Sequence, residues 1–253
     1  MFLKAGLRAL DTIDKAVGMP VVSTSLRVLT GVIVTVLTVT GCQTLDAASR
    51  VIGRADLVNE LAARLDRSNQ LTYSADYQFP GGRTASIAQS QNPLRAAYVY
   101  PGGKLTVTAE ATMECDTSGK KPTCTLTAPP EPKNKPALTV FTRMTSHGLV
   151  TPPMVVGLLT AAALDPDAII EQNDTTIAGR HATCVQVRQL HNAATDAFDA
   201  CITGEGALGS FSGTVDGTEL RVTMSRYRET VENSVFELPP GAGVVDRRPT
   251  APR

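Results

Sequence analysis

Four side chains able to ligate zinc fall within one short stretch: His181, Cys184, His191 and Cys201. Zinc modules bring their ligands in close pairs, two to four residues apart for cysteines. Cys184 and Cys201 are not so spaced, and in an exported chain such a pair forms a disulfide instead. A serine nucleophile of the elbow type needs G-x-S-x-G. The nearest text, Gly209-Ser210-Phe211-Ser212-Gly213, has Phe where the Ser must stand. His147, His181 and His191 have no partner at a recognisable spacing and read as solvated or loop histidines. Asp165-Pro166-Asp167 reads as a helix terminus rather than a carboxylate pair. The glycine pairs follow prolines, in Pro80-Gly81-Gly82 and Pro101-Gly102-Gly103, and no Gly-Lys-Ser/Thr follows to hold a phosphate. The residues therefore form no catalytic constellation, and the expectation is a non-enzymatic protein with no metal and no cofactor.

Cys42 has the most definite chemistry. The 13 residues before Gly41, Val28 to Thr40, carry no charge, and Arg27 precedes them. A bilayer span needs about 20 apolar residues, so this length suits the apolar core of a signal peptide. The run ends in Val39-Thr40-Gly41-Cys42, which resembles the bacterial lipobox of actinobacterial-type lipoproteins. That resemblance implies cleavage after residue 41 and a diacylglyceryl group on the Cys42 sulfur, its acyl chains palmitate-like. Two or more chains suffice for stable anchoring, so the expected location is the outer face of the cell membrane. A transmembrane helix is the competing reading. Against it stand four threonines in the run (Thr30, Thr35, Thr38, Thr40) and the lack of a basic cluster after it. Met19 is an alternative start that would leave a signal of ordinary size.

Five cysteines are odd for an exported protein until Cys42 is assigned to lipid. Four remain, and neighbours in sequence favour Cys115–Cys124 and Cys184–Cys201. The 212 residues from Cys42 onward suit one domain with tails. Formal charge is zero for the whole chain. Without Lys4, Arg8, Lys15, Arg27, Asp11 and Asp14 it becomes 20 basic against 22 acidic residues. Nucleic-acid binding calls for a basic patch, so no nucleic-acid partner is expected. Aromatics make up only 4%, with no Trp.

Hydrophobic periodicity gives the elements. Leu45, Ala48, Ile52, Ala55, Val58, Leu61 and Leu65 recur at helical spacing, which predicts an amphipathic helix over 45–69. Its polar face is of mixed sign, so it is expected to pack on a sheet. From Leu71 the period is two: Leu71–Phe79, Arg83–Gln91, Leu94–Tyr100, Lys104–Cys115 and Thr123–Ala128 read as a meander. In the fourth, Leu105, Val107, Ala109, Ala111 and Met113 are expected on one face. A Pro-rich stretch, 129–136, precedes a further candidate strand, Leu138–Met144. Thr151-Pro152-Pro153 opens a helix to Leu164 that is apolar nearly all round and so expected to be buried. Further strands are expected at Ala168–Gln172, Thr175–Ile177, His181–Leu190, Ala197–Thr203, Ala207–Val215 and Glu219–Tyr227. The domain divisions are a signal segment 1–41, a lipidated N-terminus with its helix 42–70, the sheet with its apolar helix 71–244, and a disordered tail 245–253.

Two stretches resemble the LolA/LppX/LprG-like carrier superfamily. One is Phe236-Glu237-Leu238-Pro239-Pro240-Gly241-Ala242, where the group often reads F-x-L-P-x-G-A. The other is the strand Ile177-Ala178-Gly179-Arg180-His181-Ala182-Thr183-Cys184-Val185-Gln186-Val187. The resemblance implies an α+β fold: a half-open antiparallel β-barrel with covering α-helices and an apolar cavity between them. The scarcity of Trp departs from the group and leaves the ligand's size open. On this reading Met154, Val155, Leu158, Leu159, Tyr73, Tyr77, Leu105 and Val107 line a cavity for a lipid or other hydrophobic ligand, carried or sensed. The same residues equally suit a filled core. That would leave an interaction module like the RseB-type envelope regulators, with a protein partner and no ligand cavity.

Overall fold

Strands with alternating side chains must cover their apolar face, and among the described residues the helices over 53–66 and 152–164 do so. The computed structural model describes residues 53–129, 144–145 and 147–249. The signal segment, the lipobox with Cys42, the first turns of the amphipathic helix and residues 130–143 lie outside them. Of the candidate strand Leu138–Met144, Met144 alone is described, and it is helical with Thr145.

Residues 53–66 form helix α1. Val58, Leu61, Ala62 and Leu65 are its buried stripe, spaced i, i+3, i+4, i+7 as an amphipathic helix requires. A 3-10 turn at Arg67–Gln70 leads into the first strand. The strands are β1 (Tyr73–Gln78), β2 (Thr84–Gln91), β3 (Leu94–Tyr100), β4 (Gly103–Thr108), β5 (Thr112–Asp116) and β6 (Thr123–Thr127). Helix α2 follows at Pro152–Leu164, with proline in its first turn where a missing N–H costs nothing. Then come β7 (Ile169–Ile177), β8 (Arg180–Arg188), β9 (Phe198–Thr203), β10 (Leu208–Val215), β11 (Thr218–Arg228) and β12 (Gly243–Asp246).

The twelve strands of the described residues form one sheet in the order β12-β6-β5-β4-β3-β2-β1-β11-β10-β9-β8-β7. Every pairing is antiparallel except β12 with β6. The sheet is unclosed, with β7 and β12 as its edges. Its register stacks Ala75, Ile87, Tyr98 and Leu105 in one row, and Val222, Phe211, Ala200 and Val185 in another. These rows, the buried stripe of α1, and Val155, Leu158, Leu159 and Ala162 of α2 form a single core.

The opposite face has small residues in register: Ala88, Ala97 and Thr106, then Met113. After β11 the chain crosses this face as a strap. Ser74 Oγ donates to the Thr230 carbonyl (3.0 Å), and Arg95 donates to Asn233 (2.9 Å). The Arg95 guanidinium lies 4.2 Å from the Phe236 ring centre, and Lys104 Nζ donates to the Glu237 carbonyl. Partial burial pushes the Lys104 ammonium below its usual pKa. The strap ends in β12, two residues into the stretch read as a tail, where Asp246 pairs with Leu126.

Three expectations are corrected. Lys104–Cys115 is not one strand but two, joined by a turn at 109–111. Thr108 Oγ1 accepts the N–H groups of Glu110 and Ala111 there, a side-chain substitute for turn backbone. The reversal puts Met113 opposite Thr106 and so on the face away from Leu105. The two candidate strands within 168–177 are one, Ile169–Ile177, because Asn173 and Asp174 pair with Cys184 and Thr183 without interruption.

Candidate functional site

Both cysteine pairs bridge directly opposite residues. Cys115 on β5 faces Cys124 on β6, with Cα atoms 4.0 Å apart; Cys184 on β8 faces Cys201 on β9, at 3.9 Å. The zinc reading thus loses both sulfurs to one bond. His181 is exposed on β8, and His191 lies beside Asp165 instead.

The residues expected to line a cavity do come together. Tyr73, Tyr77, Leu105, Val155 and Leu159 are at most 2% exposed, Leu158 is 5%, and Val107 and Met154 pack half-buried against them. They share this core with stacked Phe198 and Phe211, whose ring centres are 5.9 Å apart. Tyr77 donates its hydroxyl to the Leu208 carbonyl at 2.9 Å. Burial pushes the hydroxyl pKa of Tyr73 and Tyr77 well up, and that of Tyr98 to about 12. Three pockets formed by described residues border none of the eight.

The text that mimics a nucleophile elbow has a packing explanation. At Gly213 an added Cβ would stand 3.0 Å from the Phe198 Cβ, and at Gly209 3.1 Å from Ile177 Cδ1. Phe211 between them faces the core, and Ser212 donates to Asp199 at 3.2 Å.

Two of the pockets are surface grooves of mixed polar and apolar lining. The first, about 340 Å3, lies beside His147 and is lined by Tyr100, Glu114, Asp116, Ser118 and Thr125. Hydrogen bonds from the Ser118 hydroxyl (2.6 Å) and N–H (2.8 Å), with His147 nearby, hold the Asp116 carboxyl below its ordinary pKa. The second, about 630 Å3, is lined by Leu164, Asp165, Pro166, Asp167 and His191. Asp165 accepts from the backbone of His191 (2.7 Å) and of Asp167 (3.0 Å) and faces the His191 ring at 3.2 Å. These bonds hold its carboxyl below the usual range. Asp165, Asp167 and His191 place ligand atoms within 4.8 Å of one another, on the surface, as exposed acidic groups commonly do without an ion. Asp165 therefore ends the helix, as its spacing indicated, and also fixes the 189–197 loop. That second role is invisible in sequence, because 26 residues separate it from His191.

The class defined by the described residues is an open, largely antiparallel sheet with helices α1 and α2 on a common core. No protein-family model matches the chain, and no curated protein matches it. Among solved structures it is similar to MucB, at 12% identity over 76% of this chain and 65% of that one, TM-score 0.40. It is likewise similar to the Pseudomonas aeruginosa MucA/MucB complex structure, at 12% over 74% and 63%, TM-score 0.44. For MucB in complex with MucA(peri) the values are 11%, 74%, 61% and 0.40. The chain spans less than two thirds of the length of each.

Proposed function

We propose that this is an exported binding module of the cell envelope, tethered at the outer face of the membrane through acyl groups on Cys42 and acting by contact rather than catalysis. The observation that carries the reading is the pair of cross-strand disulfides. Such bonds persist in oxidising compartments, and they account for every cysteine except Cys42. Metabolic labelling with a clickable fatty acid tests the tether. The full chain takes up label and partitions with membranes, and Cys42→Ser abolishes both; labelling that survives the substitution rules the assignment out.

A second reading, a lipid carrier or sensor, is favoured by α2. Its Met154, Val156, Ala161 and Ala163 are only half-buried, and Leu164 is 79% exposed. That is more apolar surface than the core takes up. Under this reading an acyl chain enters along Met154, Leu158 and Val107. Native mass spectrometry of the protein from its own host distinguishes the two: a co-purifying lipid, lost with Leu158→Trp, supports the carrier, and bare protein supports the contact module.

A further inference from the structure

The two edges of the sheet are unlike. β12 is four residues long and is followed by Arg247 and Arg248. β7 runs for nine residues, pairs with β8 without a register shift, and has no described strand on its other side. Exposed edges are ordinarily blunted by shortness, Pro, charged side chains (Lys above all) or a bulge. β7 is long and unbulged and has no Pro or Lys; the carboxylates of Glu171 and Asp174 are its charges, and residues 171–176 are all exposed.

Which backbone groups are free follows from the hairpin. Ala178 and Gly179 have φ of 51° and 75°, the type I′ turn, so Ile177 and Arg180 close the ladder as a hydrogen-bonded pair. Alternation along an antiparallel ladder then turns the backbone groups of Ile169, Glu171, Asn173, Thr175 and Ile177 toward β8. The disulfide agrees. A Cα separation of 3.9 Å marks Cys184 and Cys201 as a non-hydrogen-bonded pair, which leaves the Cys184 backbone groups for Asn173. Ile170, Gln172, Asp174 and Thr176 thus present their N–H and C=O groups outward.

We infer that β7 docks a second copy of this chain, antiparallel, about a twofold axis at Asn173. This register sets Ile170 opposite Thr176 of the second copy and Gln172 opposite Asp174, so all four outward residues find partners. It also sets Ile169, 39% exposed, opposite half-buried Ile177, and Glu171 opposite Thr175. No like charges stand directly opposed. The neighbouring registers fail. An axis at Gln172 sets Thr176 opposite Ala168, outside the strand, and an axis at Asp174 sets that carboxylate against itself. An axis at Glu171 sets Glu171 against itself and strands Thr176, and an axis at Thr175 pairs Gln172 with the turn. The isologous contact closes on itself, so it yields a dimer rather than a filament. The one adverse feature is the diagonal pair of Asp174 side chains, about 7–8 Å apart.

The geometry makes a site-specific test. Asn173 would face its own copy as a non-hydrogen-bonded pair, the relation that both native disulfides bridge. Thr175 would lie about 14 Å from its copy, at 3.4 Å per residue. Full-length protein with Asn173→Cys, in membranes or detergent, should give a covalent dimer on a non-reducing gel, joined through position 173 in its mass spectrum. Thr175→Cys should not. Asp174→Pro removes an outward N–H and leaves the β8 ladder intact, so sedimentation should report monomer while circular dichroism stays that of the parent. Asp174→Asn should tighten association roughly threefold at low salt, the effect of one unit-charge repulsion at 7 Å in water. Sedimentation as a monomer at 100 μM overturns the inference, as do equal cross-linking at 173 and 175 or a dimer that survives Asp174→Pro. Capture of a basic peptide by a monomeric edge overturns it equally.

Discussion

Five tyrosines and six phenylalanines are all the aromatics in the chain. So few rings do not by themselves leave space between sheet and helix, because placement matters more than number. Tyr73, Tyr77, Tyr98, Tyr100, Phe79, Phe198 and Phe211 all enter one core, and Tyr227 stacks on Tyr73 with ring centres 5.7 Å apart. Buried hydroxyls then make stability sensitive to base. A tyrosine whose pKa is raised by folding stabilises the native state fully below about pH 10, its unfolded value. That contribution is lost as pH rises through the folded pKa, because the unfolded chain ionises first. Urea midpoints should therefore be level from pH 8 to 9.5 and fall from pH 10 upward. The slope is about 1 kcal/mol per pH unit for each buried tyrosine. Tyr98→Phe, which removes the group at about 12, should reduce the slope by about one such share. A midpoint constant up to pH 11 would mean that these hydroxyls reach water.

At the scale of elements, the sequence was most legible where period and punctuation agreed. Leu94–Tyr100 and Pro152–Leu164 have the bounds that Pro93, Pro101 and Thr151 indicated. The turn after Thr108 escaped notice because it lacks Gly and Pro, and a threonine hydroxyl does their work. The disulfide pairing was legible from sequence distance alone. The groove beside His147 was not, since its residues come from four separate stretches. The strap also had no local signal: Phe236 looked like part of a family motif, and its role appears only where Arg95 meets its ring. Phe236 is 8% exposed, its ring against the Arg95 guanidinium of β3. Phe236→Ala should cost about 2–3 kcal/mol, less than a fully enclosed phenylalanine because one side of the site can collapse. It should also raise hydrogen exchange at Val244 and Val245 while leaving β3 protected. Unchanged exchange in β12 would show that β12 holds on β6 without the strap.

At the scale of the molecule, the two wings of the sheet come from separate lengths of chain, 73–127 (with β12 added at its edge) and 169–228, and meet where β1 pairs with β11. That pairing joins residues about 150 apart, beyond any local pattern, so helix and strand content was readable while the order of strands was not. Each wing holds one disulfide, and they differ in support. Cys115–Cys124 sits in a small second cluster with Met113, Leu126 and Ala242 of the strap, whereas Cys184–Cys201 joins β8 and β9 near the free edge. Chain-entropy reasoning gives each loop about 3 kcal/mol, slightly more for the longer one. Replacing Cys184 and Cys201 together by Ala should therefore cost about 3 kcal/mol and loosen exchange in β7 to β9 alone. Replacing Cys115 and Cys124 together should cost at least as much, because the strap loses the sulfur surface under Ala242 as well. Denaturant titration of both double variants, with exchange mapped by wing, decides it. Equal loosening across all twelve strands would mean that the sheet unfolds as one unit, and that the wings are a division of sequence and not of stability.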